Sequence, residues 1–508
     1  MTTVTKDVVI IGGGHNGLVA ATYLAKAGKS VVILEANDEI GGATASVRAF
    51  PEFDARLSRY SYLVALLPDQ IVSDLGLNFV TVPRTVSSYT PDLNGTGLYI
   101  SRQWDQATAD SFASIPDGAE DALAWQQFYG EVAMFAERIA PYMLQPLKSR
   151  SELKAAIDLP EIWEYLIEAP IGEIINTRFK SDLVKGVVLT DALIGTHASA
   201  DDLLANICFL YHLIGNGTGE WKVPKGGMGA LVKELERVAL AAGVEIRTNS
   251  KVAAIASNSD LVTATIENGD QFVASHLLSN AAPQVLAKLR NKPKPASLSG
   301  AQFKINMLLK KMPRLKSGIL PELAFAGTFH ISEKFSQLET SYQESKAGKL
   351  PACFPSEMYC HTLSDPSILS LELQAAGYQT LTLFGLHTPA ELFDADNEAT
   401  KATALAGFIA ELDKYLIDPV SEIIARNSDG SPCIEAKTPL DLEEAISLPR
   451  GNIFHSDLTF PFREEGDSRR WGVETDDPRI FICGAGAQRG GGVSGIPGHN
   501  AAMAVLGK

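Results

Sequence analysis

The first 42 residues limit the possible folds of this chain more than any other segment. Val8–Ile11 is a short apolar run, typical of a strand that is buried on both faces. Gly12, Gly14 and Gly17 follow as G-x-G-x-x-G at the start of an Ala- and Leu-rich helical run. A second apolar run, Ser30–Leu34, completes the roughly 30 residues of a βαβ unit. This order of elements predicts a bound dinucleotide.

Each residue of the motif has a physical role. Gly12 permits the tight turn, Gly14 lets a pyrophosphate approach the backbone, and Gly17 lets the helix pack closely on the strand. The unpaired N–H groups at the helix start face the phosphates. Glu35 ends the second strand at about the 20-residue spacing of a ribose-binding acid. Its carboxylate would accept hydrogen bonds from a ribose diol and repel a 2′-phosphate.

The glycine pair Gly41-Gly42 changes the expected dinucleotide from NAD to FAD. A pair at this distance from the acid is typical of flavoproteins that hold FAD extended, since the chain passes beneath the ribityl-diphosphate, where a side chain would interfere. In such folds the following segment leads towards the flavin. Arg59, Tyr60 and Tyr62 are therefore candidates for the wall of the site, although surface arginines and core tyrosines are the alternative interpretation.

Composition and charge exclude several classes of function. A chain of 508 residues is too long for one ordinary core, so we expect at least two domains. The formal net charge of −16 argues against nucleic acid or an anionic membrane surface as the main partner. The five cysteines form neither a C-x-x-C motif nor a metal-ligand spacing, so we expect no redox dithiol and no metal site.

The chain also lacks the marks of a membrane protein. Its longest apolar run, Leu203–Ile214, is too short to cross a bilayer, so we expect no transmembrane segment. Only MTTVTK precedes the first strand, which is too short for a targeting peptide. We therefore expect a cytoplasmic protein.

The periodicity of the chain predicts an α/β fold with a Rossmann-type FAD-binding domain, interrupted by one mostly helical segment and one segment rich in strands. Residues 1–105, 221–295 and 441–508 are the predicted FAD-binding parts. Residues 106–220 have mostly helical spacing, and residues 296–440 include strand-like segments such as Tyr359–Leu363. A sheet with one face covered by helices would form a floor for a substrate cavity.

A glycine-rich segment near the end, Gly484–Gly498, follows an apolar strand and precedes an Ala-rich helix. Its glycines let the backbone lie against a flat ring system. The N–H groups at the start of the helix would stabilise negative charge on reduced flavin. The segment therefore predicts the flavin end of the FAD site.

Three separated blocks, Val8–Gly42, Pro224–Val252 and Ile480–Ala502, together resemble the phytoene desaturase-like FAD oxidoreductases, which include carotenoid desaturases and isomerases. The segment SRYSYLVALL at Ser58–Leu67 is similar to one branch of that family, the pyridine nucleotide-disulfide oxidoreductase domain-containing protein 2 branch. The resemblance implies a glutathione reductase-like FAD domain assembled from three pieces of the sequence, with an α+β substrate domain inserted in two pieces. It implies cofactor-binding roles for Gly12, Gly14, Gly17, Glu35 and Gly42 at the ADP half, Val252 at the adenine, and Gly484, Ala485, Gly492 and Val493 along the ribityl chain and flavin.

These observations predict an FAD-dependent dehydrogenase that removes a hydride from a carbon of an apolar or cyclic small molecule and leaves a double bond. Tyr60, Tyr62, Arg59 and His499 are the candidate catalytic residues for proton transfer. An amine or amino-acid oxidase, a redox-neutral flavin isomerase and a non-catalytic carrier of a hydrophobic ligand are the alternatives. The electron acceptor (oxygen, a quinone or another carrier) and a homo-oligomeric state stay open.

Overall fold

The computed structural model describes residues 1–64, 66–217 and 221–508. Its strands, in chain order, are β1 (Thr3–Ile11), β2 (Val31–Leu34), β3 (Ser46–Val47), β4 (Leu57–Ser58), β5 (Thr81–Pro83), β6 (Val86–Pro91), β7 (Gly97–Ser101), β8 (Lys222–Pro224), β9 (Glu245–Arg247), β10 (Val252–Ser257), β11 (Val262–Ile266), β12 (Gln271–Ser279), β13 (Phe303–Leu309), β14 (Thr328–Ile331), β15 (Ser356–Tyr359), β16 (Gln379–Gly385), β17 (Ile434–Lys437) and β18 (Ile480–Ile482).

The α-helices, in chain order, are α1 (His15–Lys26), α2 (Asp69–Leu75), α3 (Gln106–Ser114), α4 (Gly118–Ile139), α5 (Arg150–Ile157), α6 (Pro160–Trp163), α7 (Ile171–Arg178), α8 (Asp182–Thr190), α9 (Leu203–Ile214), α10 (Met228–Ala241), α11 (Pro283–Leu289), α12 (Pro321–Ala324), α13 (Phe335–Lys346), α14 (His361–Ser364), α15 (Leu371–Ala375), α16 (Asn397–Asp413), α17 (Val420–Ile423), α18 (Pro439–Ile446) and α19 (Ile496–Val505).

The first sheet has the strand order β10-β11-β12-β1-β2-β9, and β18 pairs with the end of β12. Strands β9, β2, β1, β12 and β18 run parallel. Apolar residues fill both faces of this sheet: α1 and α10 contribute to the core on one face, and β10 and β11 extend over the other. This topology confirms the predicted Rossmann-type arrangement.

The end of β12 joins the three predicted FAD-binding parts. The backbone carbonyl of Ser279 accepts hydrogen bonds from the N–H groups of Cys483 and Gly484, at 2.8 and 3.2 Å. The next residue, Asn280, donates from its backbone N–H to Ile11 O at 2.8 Å and from its side-chain amide to Gly12 O at 3.2 Å. The glycine loop after β1 and the chain after β18 are therefore fixed by the same two residues.

The second sheet has the order β17-β13-β16-β15-β14-β6-β7, in which only the described pair β14 and β6 is parallel. One face is an apolar core formed by alternate residues such as Phe303, Ile305 and Leu383, with Phe408 of α16 packed against them. The residues between them point to the opposite face, because side chains alternate along a strand. That opposite face is the floor of the candidate site.

Two details of the second sheet differ from the sequence analysis. Strands β6 and β7 pair here, so Val86–Ser101 does not belong to the first sheet, although the predicted FAD-binding part runs to residue 105. The strand predicted at Tyr359–Leu363 lies earlier, at Ser356–Tyr359, and His361 begins a short helix instead. The division into domains at the stated boundaries stays a prediction.

A helical layer covers the second sheet's floor. Its core is built from large buried side chains, among them Phe128 of α4, Trp163 of α6 and Phe209 of α9. Helix α9 coincides with Leu203–Ile214, the longest apolar run of the sequence. In the part of the chain that the structure describes, no helix is both long and apolar enough to span a bilayer.

Candidate functional site

A cavity of about 840 Å³ runs from the glycine loop after β1 to the floor formed by the second sheet. Its volume lies within the range of small-molecule and cofactor sites. Of the predicted cofactor-binding residues, those that line it are Gly12, Gly14, Glu35, Gly42, Val252, Ala485, Gly492 and Val493. Segments that are distant in sequence therefore meet around one cavity.

The glycine loop has the close packing that the motif requires. A Cβ atom on Gly17 would lie 2.4 Å from the backbone oxygen of Gly12, so any larger residue would push α1 away from β1. Gly17 itself does not line the cavity but holds the loop in place. Gly41 has φ of +118°, which favours glycine, and forms a β-bridge with Gly14. The glycine pair therefore lies directly against the loop.

Glu35 lies at the position expected of a ribose-binding acid. It is 7% exposed, and its Oε2 accepts a hydrogen bond from the Gly13 N–H at 2.7 Å. Its Oε1 accepts one from the Asn37 N–H at 2.9 Å. A carboxylate oxygen has lone pairs for further donors, so the hydroxyl groups of a ribose can bind here as well.

Two half-buried histidines face the cavity near the predicted flavin segment. His15 begins α1 and His455 follows α18; burial lowers the pKa of each to about 4, so both imidazoles are neutral. The His15 ring interacts with the Gly492 backbone, while its Nε2 atom has no described partner. Nδ1 of His455 also has none among the described residues. Neither histidine was singled out from the sequence.

These observations fit FAD. The glycine loop brings backbone N–H groups to a helix start, Glu35 supplies the acid, and the segment at Gly492 closes the other side of the cavity. The unpartnered buried nitrogen of His15 is a group that a polar ligand would satisfy. Gly484 does not line the cavity: a Cβ on it would lie 2.6 Å from the Asn280 backbone oxygen, so it serves chain packing.

The candidate catalytic residues are separated by the fold. Tyr60 and Tyr62 line the cavity, and the Tyr62 ring stacks on Tyr359 with a centroid distance of 4.4 Å. Arg59 lies outside the lining, since its Nη2 atom pairs with Oε1 of Glu435 at 2.5 Å.

His499 also lies outside the lining of the cavity, because α19 directs it into the packing between helices. Its ring contacts Tyr23 at 5.1 Å, and its Nδ1 is 2.9 Å from the Asn500 side-chain oxygen. Arg59 and His499 therefore do not line the cavity, and their catalytic roles stay predictions.

The floor of the cavity contains ionisable residues that the sequence analysis missed. Lys304 of β13 is 3% exposed, and its Nζ lies 3.2 Å from Ser58 O and 4.6 Å from the centroid of the Phe384 ring. Burial lowers the pKa of Lys304 to about 7, although the Glu435 carboxylate opposes this shift. The amine is therefore close to half protonated at neutral pH.

Glu357 of β15 is the second such residue. It is 4% exposed and lines the cavity beside Tyr359. Burial raises the pKa of Glu357 to about 8, and a hydrogen bond with Tyr359 lowers it only in part. The signal for both residues was present in the sequence as polar residues that alternate with apolar ones along β13 and β15.

Aromatic side chains also line the cavity. Tyr62, Trp221, Tyr359 and Phe384 form an aromatic wall along the cavity. All five cysteines are free thiols, and among the described residues no group of three His, Cys, Asp or Glu side chains has the arrangement of a metal site.

Comparisons with known proteins agree with this geometry. A family model described as flavin containing amine oxidoreductase matches residues 17–309. An uncharacterized protein of Mycobacterium tuberculosis is 43% identical, over 98% of this chain and 97% of that protein. The Mus musculus pyridine nucleotide-disulfide oxidoreductase domain-containing protein 2 is 29% identical, over 98% of this chain and 93% of its own length.

More distant similarities are to a desaturase and to the solved structure of an oxidase. Hydroxyneurosporene desaturase of Cereibacter sphaeroides is 25% identical, over 56% of this chain and 58% of that protein. The solved structure of a redesigned putrescine oxidase has a TM-score of 0.61 at 19% identity and covers 99% of both chains, which is a likeness of fold. These findings confirm the predicted α/β FAD-binding fold, FAD as the cofactor, an oxidoreductase activity and the resemblance to phytoene desaturase-like enzymes.

Proposed function

The chain belongs to the flavin-containing amine oxidoreductase family, and from this premise we propose that it removes two hydrogens across a C–C bond of an apolar or cyclic small molecule. The observation that carries the proposal is the aromatic wall, which continues from the FAD-binding segments to the floor of the same cavity. Such a wall binds a flat or apolar body through its ring faces.

The proposed cofactor contacts follow from the lining of the cavity. Gly12, Gly14 and Gly42 would lie along the phosphates, Glu35 at the ribose, and Val252 near the adenine. Ala485, Gly492 and Val493 would lie along the ribityl chain and the ring, while Gly17 and Gly484 support the loops. When bound, FAD supplies the hydride acceptor at its N5 position.

The chain's own residues would bind the substrate and move its proton. Tyr60 and Tyr62 are proposed as wall residues because both line the cavity. Burial raises the pKa of the Tyr62 hydroxyl, so this group stays protonated at neutral pH. Lys304 replaces Arg59 and His499 as the proposed proton carrier, since it lines the cavity and its pKa of about 7 allows both protonation states.

Amine oxidation is a second candidate, and one observation favours it. An ionised Glu357 beside the aromatic wall would attract an ammonium group. The raised pKa of Glu357 argues against that role at neutral pH, because the carboxyl is then protonated. Amino-acid oxidation has less support, since no arginine lines the described part of the cavity to bind a carboxylate.

An anaerobic substrate panel tests the proposal. The purified holoenzyme, identified by its flavin band near about 450 nm, is mixed with a saturated ketone, a polyene and a primary amine. We expect bleaching of the band by a substrate with a removable C–H pair and an unsaturated product in the extract. Bleaching by the amine alone would favour the second candidate, and redox-neutral conversion of the polyene would favour an isomerase.

A further inference from the structure

A row of side chains crosses the floor of the cavity. In the register of the second sheet Lys304 pairs with Phe384, Phe384 with Glu357, and Glu357 with His330. Directly paired residues point to the same face of a sheet, and neighbouring strands are about 4.8 Å apart. The backbones of Lys304 and Glu357 are therefore about 10 Å apart, with one phenyl ring between them.

A protonated Glu357 can donate a hydrogen bond from this row. Burial keeps its carboxyl protonated at neutral pH, and a protonated carboxyl donates one O–H bond. The charged and titratable groups that face it come from several elements: Tyr359 on its own strand, His330 on β14, Asp191 after α8, Glu333 after β14, and Arg84 before β6. Asp191 favours the neutral form and Arg84 opposes it.

Further polar groups of the floor have no partner within the described chain. Both amide atoms of Gln302, which precedes Lys304 on the same face, and the Ser61 hydroxyl are buried without a hydrogen bond. Gln302, Ser61 and Lys304 all line the cavity. A pure hydrocarbon would leave these groups unsatisfied, whereas an oxygen-bearing ligand would satisfy some of them.

We propose that the substrate is an apolar body carrying a carbonyl group, and that Glu357 donates a hydrogen bond to the carbonyl oxygen while Lys304 faces the neighbouring carbon. This inference rests on the proposed dehydrogenation and names its substrate class. The carbon next to a carbonyl carries an acidic C–H bond, so the polar floor and the proton carrier serve one reaction.

The atoms balance in the proposed step. Neutral Lys304 takes the proton from the carbon next to the carbonyl, and the following carbon loses a hydride to FAD. The two C–H bonds are replaced by a C=C bond conjugated with the carbonyl, Lys304 becomes a cation, and FAD is reduced by two electrons. Glu357 keeps its proton and stabilises the charge that develops on the carbonyl oxygen.

The test compares ligands that differ only in the oxygen. Dihydro-β-ionone, a ketone with an apolar ring and a saturated C–C bond next to its carbonyl group, is added anaerobically to the FAD-loaded enzyme. The hydrocarbon with CH2 in place of the C=O is the matched control. We expect bleaching with the ketone and formation of β-ionone, and at least about tenfold slower bleaching with the hydrocarbon. Binding of β-ionone, measured by its shift of the flavin spectrum, is the second readout.

Variants separate the proposed donor from a merely structural residue. Glu357→Leu should weaken β-ionone binding about tenfold, since one hydrogen bond is lost. Glu357→Gln, which retains an N–H donor, should bind within about threefold of the wild type and abolish the weakening that the wild type shows above pH of about 8. Glu411→Gln changes a buried carboxyl on α16 that does not line the cavity and should leave binding unchanged.

Each outcome decides between the proposals. Equal bleaching and equal binding of ketone and hydrocarbon would overturn the carbonyl inference and leave the dehydrogenation standing. Tight binding of β-ionone without bleaching by any saturated ligand would overturn the dehydrogenation and support recognition of the oxygen. Failure of β-ionone to bind, or amine binding that strengthens as Glu357 ionises, would overturn the carbonyl inference.

Discussion

The two sheets of this protein build their halves of the cavity in opposite ways. The first sheet contributes backbone: glycine loops, a helix start and one acid at a strand end. The second contributes side chains from one face of its strands, Lys304, Glu357, Tyr359 and Phe384. A site made of backbone tolerates few residue types, and we expect it to be similar in all proteins of this fold that bind the same cofactor. A site made of side chains changes with the substrate at little cost to the fold.

Gly17→Ala is the most severe way to test the backbone-built half. Its new methyl group would clash with Gly12 O, so α1 would move off β1, and we expect FAD affinity to fall on the order of 100-fold, or about 3 kcal/mol. Flavin content and titration with FAD measure this. Gly130→Ala in α4, where a Cβ meets nothing within 4 Å, is the control and should stabilise the protein by about 0.5–1 kcal/mol. Equal FAD affinity in Gly17→Ala would show that the close packing is not needed.

Lys304→Met tests the side-chain half. We expect kcat on dihydro-β-ionone to fall about 10²–10⁴-fold with FAD content unchanged, because only the proton carrier is lost. In the wild type the rate should rise as Lys304 loses its proton near pH of about 7 and fall as Glu357 ionises near about 8. The rise of the rate near pH 7 should be absent in Lys304→Met. Lys437→Met, on the strand paired with β13, is the control; a similar loss there would mean that charge in the sheet matters, not the cavity amine.

The stability of the apoprotein should respond to Glu357 in a defined direction. Its pKa is raised from 4.5 to about 8 by folding, so its contribution is present at low pH and is lost as pH rises through the folded value. Between about pH 4.5 and 8 we expect the wild type to lose stability relative to Glu357→Gln, on the order of a few kcal/mol. Thermal unfolding of both proteins across this range measures the difference. Parallel curves would mean that Glu357 is ionised in the folded protein.

Arg59→Met should have the smallest effect. Arg59 pairs with Glu435 at the edge of the second sheet and is one-third exposed, so we expect a loss of at most about 1 kcal/mol in unfolding free energy. Turnover and FAD content should stay within about twofold of the wild type, because the guanidinium lies outside the cavity. A loss of turnover comparable to that of Lys304→Met would mean that Arg59 takes part in the reaction.

The cofactor half could be predicted from the sequence because its requirements are local. The spacing of Gly12, Gly14 and Gly17 and the position of Glu35 are properties of one continuous segment, and the structure places Gly12, Gly14 and Glu35 at the cavity. The position of the segment at Gly492 also followed from a strand, a glycine run and a helix in order. Positions at which only glycine fits the backbone geometry can be recognised directly in the sequence.

The substrate half could not be predicted, because its chemistry depends on contacts between distant segments. Glu357 was missed because the strand was placed three residues too late, and its burial depends on the helical layer above it. Arg59 was chosen without knowledge of Glu435, which is 376 residues away in the sequence. His499 was chosen without knowledge that Tyr23 covers it. A face of a sheet is polar for many reasons, and only the fold shows which polar residues meet in a cavity.

The hydrogen bonds at Ser279 and Asn280 make the cofactor site depend on segments from both ends of the chain. They tie the loop after β1 to the chain after β18, and these segments are separated by almost the whole sequence. The first glycine loop leaves the ribosome early but has no opposite wall until β18 is made. Contacts of such long sequence separation form late in folding. We therefore expect FAD to bind only after synthesis of the chain is nearly complete.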